Sequence, residues 1–157
     1  MVWKNNVPLF STGGQYAQFN AIFVSGSDVY AAGTLYTGSE YVATVWKNGV
    51  GTTLFNAYLD RSAAYGLFVS GTDVYVAGEE GITNTTAKIW KNGVGTNLTN
   101  GAAFAKAVDV VVKNNDVYVL GRSSTSTALI IVLWKNGLPV NITNSSPDAH
   151  PTALVVQ

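Results

Sequence analysis

The phrase Trp-Lys-Asn, followed by Gly or Asn, occurs four times, with its tryptophan at positions 3, 46, 90 and 134. The spacings are 43, 44 and 44 residues, so one unit is repeated in tandem. A second phrase keeps the same beat: Asp28-Val29-Tyr30, Asp73-Val74-Tyr75 and Asp116-Val117-Tyr118, closed three residues later by Gly33, Gly78 and Gly121. A period of this length implies a solenoid, a propeller or another array, because a unit of this size cannot bury its apolar surface alone and must stack on its neighbours. At 157 residues the chain is long enough to build a real core if the units pack together.

One unit can be read strand by strand. Ala63 to Val69 is an apolar run rich in strand formers (strand A), Ser70-Gly71-Thr72 is a tight turn, and Asp73 to Gly78 returns as strand B. A polar stretch from Glu79 to Thr85 separates it from strand C, Thr86 to Lys91. Asn92-Gly93 then supplies a hairpin turn, since a type I′ turn needs positive φ at both central residues, and strand D follows from Val94 to Thr99. Asn48-Gly49 and Asn136-Gly137 repeat that turn, while Ser25-Gly26-Ser27 and Lys113-Asn114-Asn115 repeat the A–B turn. No apolar period of 3.6 runs over ten residues, so helices are not expected. Unbroken apolar runs such as Ile22-Phe23-Val24 and Val110-Val111-Val112 predict sheets covered on both faces. In strand C, Ala43 and Val45 point to one side and Thr44 and Trp46 to the other, so Trp3, Trp46, Trp90 and Trp134 are expected to fill the gaps between neighbouring sheets. Tyr30, Tyr75 and Tyr118 are expected to pack in the same way from strand B.

Composition excludes several classes of function. The chain carries nine basic and nine acidic residues and no cysteine, which removes disulfides and thiolate metal sites. Four of the seven lysines (Lys4, Lys47, Lys91, Lys135) belong to the repeated phrase and are therefore spread by it. Nucleic-acid binding requires pooled positive charge, and none is visible. No apolar run approaches the roughly 20 residues of a membrane span, and no signal-peptide pattern precedes the first phrase. One histidine, His150, leaves no histidine cluster, and neither a metal nor a cofactor is expected.

The alternation of a SIFVSG-like strand, DVYVAG and AKxWKNG resembles the WKNG-type β-propeller repeat of bacterial secreted or surface proteins, over essentially the whole chain. The resemblance implies an all-β fold, a ring of four-stranded antiparallel blades, and brings no catalytic motif with it. The expected layout is a single repeat array over 1–157: a partial blade at 1–10, blades at about 16–55, 61–99 and 104–143, and a terminal inner strand at 149–157. That is about three and a half blades, whereas closed propellers have four to eight. Completion by self-association through the chain ends, as a homodimer or larger ring, is the expected outcome, because open edges expose unpaired backbone groups.

In that blade order the A–B and C–D turns lie at one end of the strands and are nearly invariant, while the B–C and D–A connections at the other end vary. Most nonrepeating charges (Glu40, Asp60, Arg61, Glu79, Glu80, Arg122, Asp148) are placed in those variable loops, which are where a rigid scaffold displays binding residues. Tyr36, Tyr58 and Arg61 are candidates for stacking and hydrogen bonding to a glycan or peptide. Asp109 stands on strand A, where other units have Ala21, Gly66 and Ala153, and is a candidate to hold a water or cation or simply to be solvated. Catalysis finds little support: His150 lacks the neighbours of a nucleophilic triad, and Glu79 and Glu80 are adjacent residues that would splay apart rather than face each other as glycosidase carboxylates do. The expected function is a noncatalytic interaction scaffold, with a lectin-like carbohydrate- or peptide-binding module as the alternative.

Overall fold

The strand-and-turn pattern is realised as fourteen strands, with no helix among the described residues. A computed structural model of the chain describes residues 1–54, 61–124, 128–142 and 150–156. The strands are β1 (Val2–Lys4), β2 (Val7–Phe10), β3 (Ala17–Ser25), β4 (Asp28–Tyr36), β5 (Tyr41–Lys47), β6 (Val50–Thr53), β7 (Ser62–Ser70), β8 (Asp73–Glu80), β9 (Thr86–Lys91), β10 (Val94–Asn97), β11 (Ala105–Lys113), β12 (Asp116–Ser124), β13 (Leu129–Lys135) and β14 (Leu138–Asn141). They form one two-stranded sheet, β1-β2, and three four-stranded antiparallel meanders, β3 to β6, β7 to β10 and β11 to β14. Each meander is one repeat.

The two repeated phrases meet in space. In every Asn-Gly turn both residues have positive φ, from 49° to 89°, as a type I′ turn demands. The asparagine is also a clamp. Asn48 accepts from the backbone N–H of Val29 at 2.9 Å and donates to Asp28 at 2.8 Å; Asn92 does the same with Val74 and Asp73, and Asn136 with Val117 and Asp116. Lys47, Lys91 and Lys135 pair with the same three aspartates at 2.7–2.8 Å and lie over the rings of Tyr30, Tyr75 and Tyr118. Lys-Asn-Gly and Asp-Val-Tyr are thus two halves of one corner.

These corners titrate. The lysine hydrogen bond first, then the asparagine, holds Asp28, Asp73 and Asp116 below the ordinary carboxylate value of 3.8. The aspartates in turn hold Lys47, Lys91 and Lys135 above 10.5. A lowered carboxylate contributes stability above pH 3.8 that is lost as pH falls through its folded value. A raised lysine contributes stability below pH 10.5 that is lost as pH rises through its own. The pairs are exposed, so each effect is small. Urea unfolding followed by tryptophan fluorescence should show stability falling outside that window, with a shallower acid limb in the Asp28→Asn/Asp73→Asn/Asp116→Asn variant.

A bulge breaks the first strand of each meander, between Phe19 and Ala21, Ala64 and Gly66, and Ala107 and Asp109. The glycine closing each Asp-Val-Tyr phrase stands across from it. A Cβ on Gly33, Gly78 or Gly121 would run into the carbonyl oxygen of Gln18, Ala63 or Lys106. Gly78 also makes room for Trp90, whose ring lies across its own sheet from Gly78 on β8 to Gly95 on β10.

The sheets pack on one another in chain order, with β7 against β3, β4 and β5, and β11 against β7, β8 and β9. Three apolar cores result. Trp46 with Val29 and Ala31 faces Val2; Trp90 with Leu67, Val69 and Val76 faces Tyr30 and Ala32; Trp134 with Val110 and Val119 faces Tyr75 and Ala77. Each tryptophan therefore looks back at the preceding sheet and each tyrosine forward to the next, and Tyr118, with no sheet following it among the described residues, is only half-buried.

The expectations fail at the two ends of the stack. Trp46, Trp90 and Trp134 are at most 4% exposed, but Trp3 is 58% exposed. The β1-β2 sheet has only the C and D strands, so no A–B pair of that sheet lies beside Trp3. For the same reason β3 alternates between half-buried and exposed instead of being covered on both faces. Ile22 and Val24 are 57% and 63% exposed, where their counterparts Leu67 and Val69 are each 6% exposed. An open apolar cleft of about 400 Å³ lies there, lined by Met1, Trp3, Phe19 and Ile22 among others. At the far end, residues 150–156, expected as an inner strand, pair in no sheet. Backbone N–H of Leu154 instead donates to Asp109 at 2.8 Å.

Candidate functional site

The variable-loop end of the contact between the first two four-stranded sheets, β3–β6 and β7–β10, holds a polar cleft of about 150 Å³. Its walls come from three places. Tyr16 precedes β3 and is fixed by its carbonyl, which accepts from the N–H of Tyr36 at 2.8 Å. Gln18 and Asn20 follow on β3, and Asn20 is the bulge residue, its side chain donating to the Ala64 carbonyl at 2.7 Å. Bulges re-aim side chains in this way. Thr34 on β4 and Tyr41 at the start of β5 complete the wall from the first sheet.

The second sheet contributes Arg61, Ala63 and Tyr65. Arg61 is held by a parallel bridge to Tyr41, and the next residue, Ser62, accepts from the N–H of Ala43 at 2.8 Å. Tyr65 is the second bulge residue. Its hydroxyl donates to Glu79 at 2.7 Å, and burial, then that hydrogen bond, pushes its pKa well above the ordinary 10, which keeps it a donor.

The equivalent position between the second and third sheets is filled. Thr34 is replaced there by Glu79, which accepts from Tyr65 and from Thr85 at 3.0 Å. Lys106 lies 4.6 Å over the Tyr65 ring, its pKa lowered by burial and then by Arg122. Arg122 donates to Nδ1 of His150 at 2.9 Å and covers Phe104. Glu80 pairs with Lys88 in a buried contact. Glu79, Glu80 and Arg122, expected in loops, are in fact strand residues of β8 and β12, and the two glutamates are buried. Adjacent strand residues project to opposite faces, so they do splay apart.

Of the sequence-predicted candidates, Arg61 lines the cleft. Tyr36 stands one ring away, tilted by 42° against Tyr41 with centroids 5.0 Å apart, its hydroxyl donating to the Gly38 carbonyl. Tyr58 lies outside the described residues. Asp109 belongs elsewhere: one carboxylate oxygen accepts from the N–H of Val110 and the other from Leu154, so backbone donors occupy it. Sequence reasoning missed Tyr16, Gln18, Asn20, Thr34, Tyr41 and Tyr65. Only the bulges could have revealed Asn20 and Tyr65, and a bulge has no reliable residue signature. Among the described residues no group of three His, Asp or Glu is placed to hold a metal ion, and no helix is long and apolar enough to cross a membrane. Compared with protein-family models, curated proteins and solved structures, the chain matches none.

Proposed function

We propose that the chain is a noncatalytic interaction scaffold on the β-propeller plan, which joins a second copy of itself end to end. The stacking order supports the plan, since meanders packed face to face with neighbouring inner strands are how blades surround an axis. The observation that carries the association is the exposure of Trp3, Ile22 and Val24 at positions where the complete contacts bury a tryptophan and two aliphatics. An apolar cleft of this kind marks an interaction surface, and a sheet edge left unpaired at β1 invites another strand.

The other end of the chain offers matching chemistry. Residues 150–156 include Leu154, Val155 and Val156 and lie beside β11 without strand pairing. A contact between unlike ends is heterologous and makes a finite particle only where the rotation closes. Light scattering and native mass spectrometry should find a discrete dimer or closed ring, and Trp3→Ser/Val24→Ser should shift it toward monomer by tenfold or more in dissociation constant. A well-folded parent protein that stays monomeric at micromolar concentration would refute the association.

A carbohydrate-binding reading is favoured by a separate observation. The polar cleft is flanked by the exposed rings of Tyr16 and Tyr41, and exposed aromatics beside convergent polar groups make a small-molecule site.

A further inference from the structure

We propose that the cleft between the β3–β6 and β7–β10 sheets binds a single acidic sugar ring of the uronate class, an inference that rests on the carbohydrate-binding reading. Among the described residues Arg61 is the only cationic side chain on its lining, and no carboxylate of those residues lies within ion-pair distance of it. The next contact along the stack shows the contrast, for there Glu79 occupies the place of Thr34 and is taken up by Tyr65 and Thr85. The β3–β6 to β7–β10 contact, in contrast, places a guanidinium on the lining of an open polar space. An arginine fork matches a carboxylate in geometry as well as charge.

The remaining walls suit the rest of such a ring. Gln18, Asn20 and Thr34 bring amides and a hydroxyl, with donors and acceptors for sugar hydroxyls. Tyr41 offers an aromatic ring, in tilted contact with Tyr36. Tyr65 has committed its proton to Glu79, so toward the cleft its oxygen accepts. At about 150 Å³ the space is below the ~300–1,000 Å³ of sites that enclose a whole drug-sized ligand. One ring enters, and the remainder of a chain stays outside. Among the described residues this lining is not repeated at the β7–β10 to β11–β14 contact, where Glu79 stands in place of Thr34, so the site is expected once rather than in each repeat.

Isothermal titration with methyl β-glucuronide, methyl β-glucoside and acetate tests this. The glucuronide should bind at least about tenfold more tightly than the glucoside, the size of effect one charge-assisted hydrogen bond gives. Arg61→Gln should erase that difference while circular dichroism stays unchanged, and Tyr41→Ala should weaken both sugars. Equal affinity for glucuronide and glucoside would overturn the acidic assignment and leave the carbohydrate reading standing. Binding of neither sugar would remove both. Acetate binding as tightly as the glucuronide would reduce the site to a plain anion site and overturn the proposal.

Discussion

Trp90→Ala is expected to cost about 3–5 kcal/mol of folding stability, the usual loss for truncating a fully buried indole. For a chain of this length that lowers the thermal midpoint by roughly 6–20 °C. The reason is geometric. The ring spans from Gly78 on β8 to Gly95 on β10 and forms the floor on which Tyr30, Ala32 and Leu54 of the preceding unit rest. Glycines on either side leave nothing that can collapse into the space. Trp3→Ala, measured below the concentration at which copies associate, should stay within about 0.5 kcal/mol of the parent, although the two tryptophans occupy equivalent places in the repeat. Thermal unfolding followed by circular dichroism checks both. Equal losses would mean that the sheets do not bear on one another through these rings.

The second large effect is expected at the buried ion pair. Lys88→Met should cost about 3–5 kcal/mol, because it strands the Glu80 carboxylate without its cation. Glu80 is 3% exposed, and its second carboxylate oxygen has no hydrogen-bond partner among the described residues, so nothing nearby takes over. The double variant Glu80→Leu/Lys88→Met should recover most of that loss, since a buried pair is often no better than apolar residues of similar volume. Chemical denaturation of the two variants decides the matter. A double variant as unstable as the single one would show that Lys88 matters for its stem, packed against Gly95 and lying over Trp90, rather than for its charge.

Much of the architecture was legible because period and turn chemistry are local properties. Asn48-Gly49, Asn92-Gly93 and Asn136-Gly137 had to reverse the chain, and the 44-residue beat placed every strand between them. The coupling of Lys-Asn-Gly to Asp-Val-Tyr was visible as a shared rhythm, but not as contact, since the two lie about twenty residues apart. Glu79 and Glu80 read as loop residues in the sequence because charge rarely enters a sheet interior; their partners Tyr65, Thr85 and Lys88 come from β7, from the residue just before β9 and from β9 itself. The cleft was the least legible part. Arg61 stood out as a nonrepeating charge, whereas Asn20 and Tyr65 reach the cleft only because bulges shift the inner strands. Trp3 shows the opposite failure, in which an identical local phrase meets different surroundings because its neighbours on β1-β2 are fewer.

The clamped asparagines have a chemical consequence. An asparagine followed by glycine is the sequence most prone to lose its side-chain amide through attack by the next backbone nitrogen. Here Asn48, Asn92 and Asn136 each hold that amide between a main-chain N–H and an aspartate, two hydrogen bonds that restrain its rotation. Ageing of the protein is therefore tied to opening of these corners. Once one amide has hydrolysed, two carboxylates face each other where a 2.8 Å hydrogen bond had been, so the damaged corner repels its own closure.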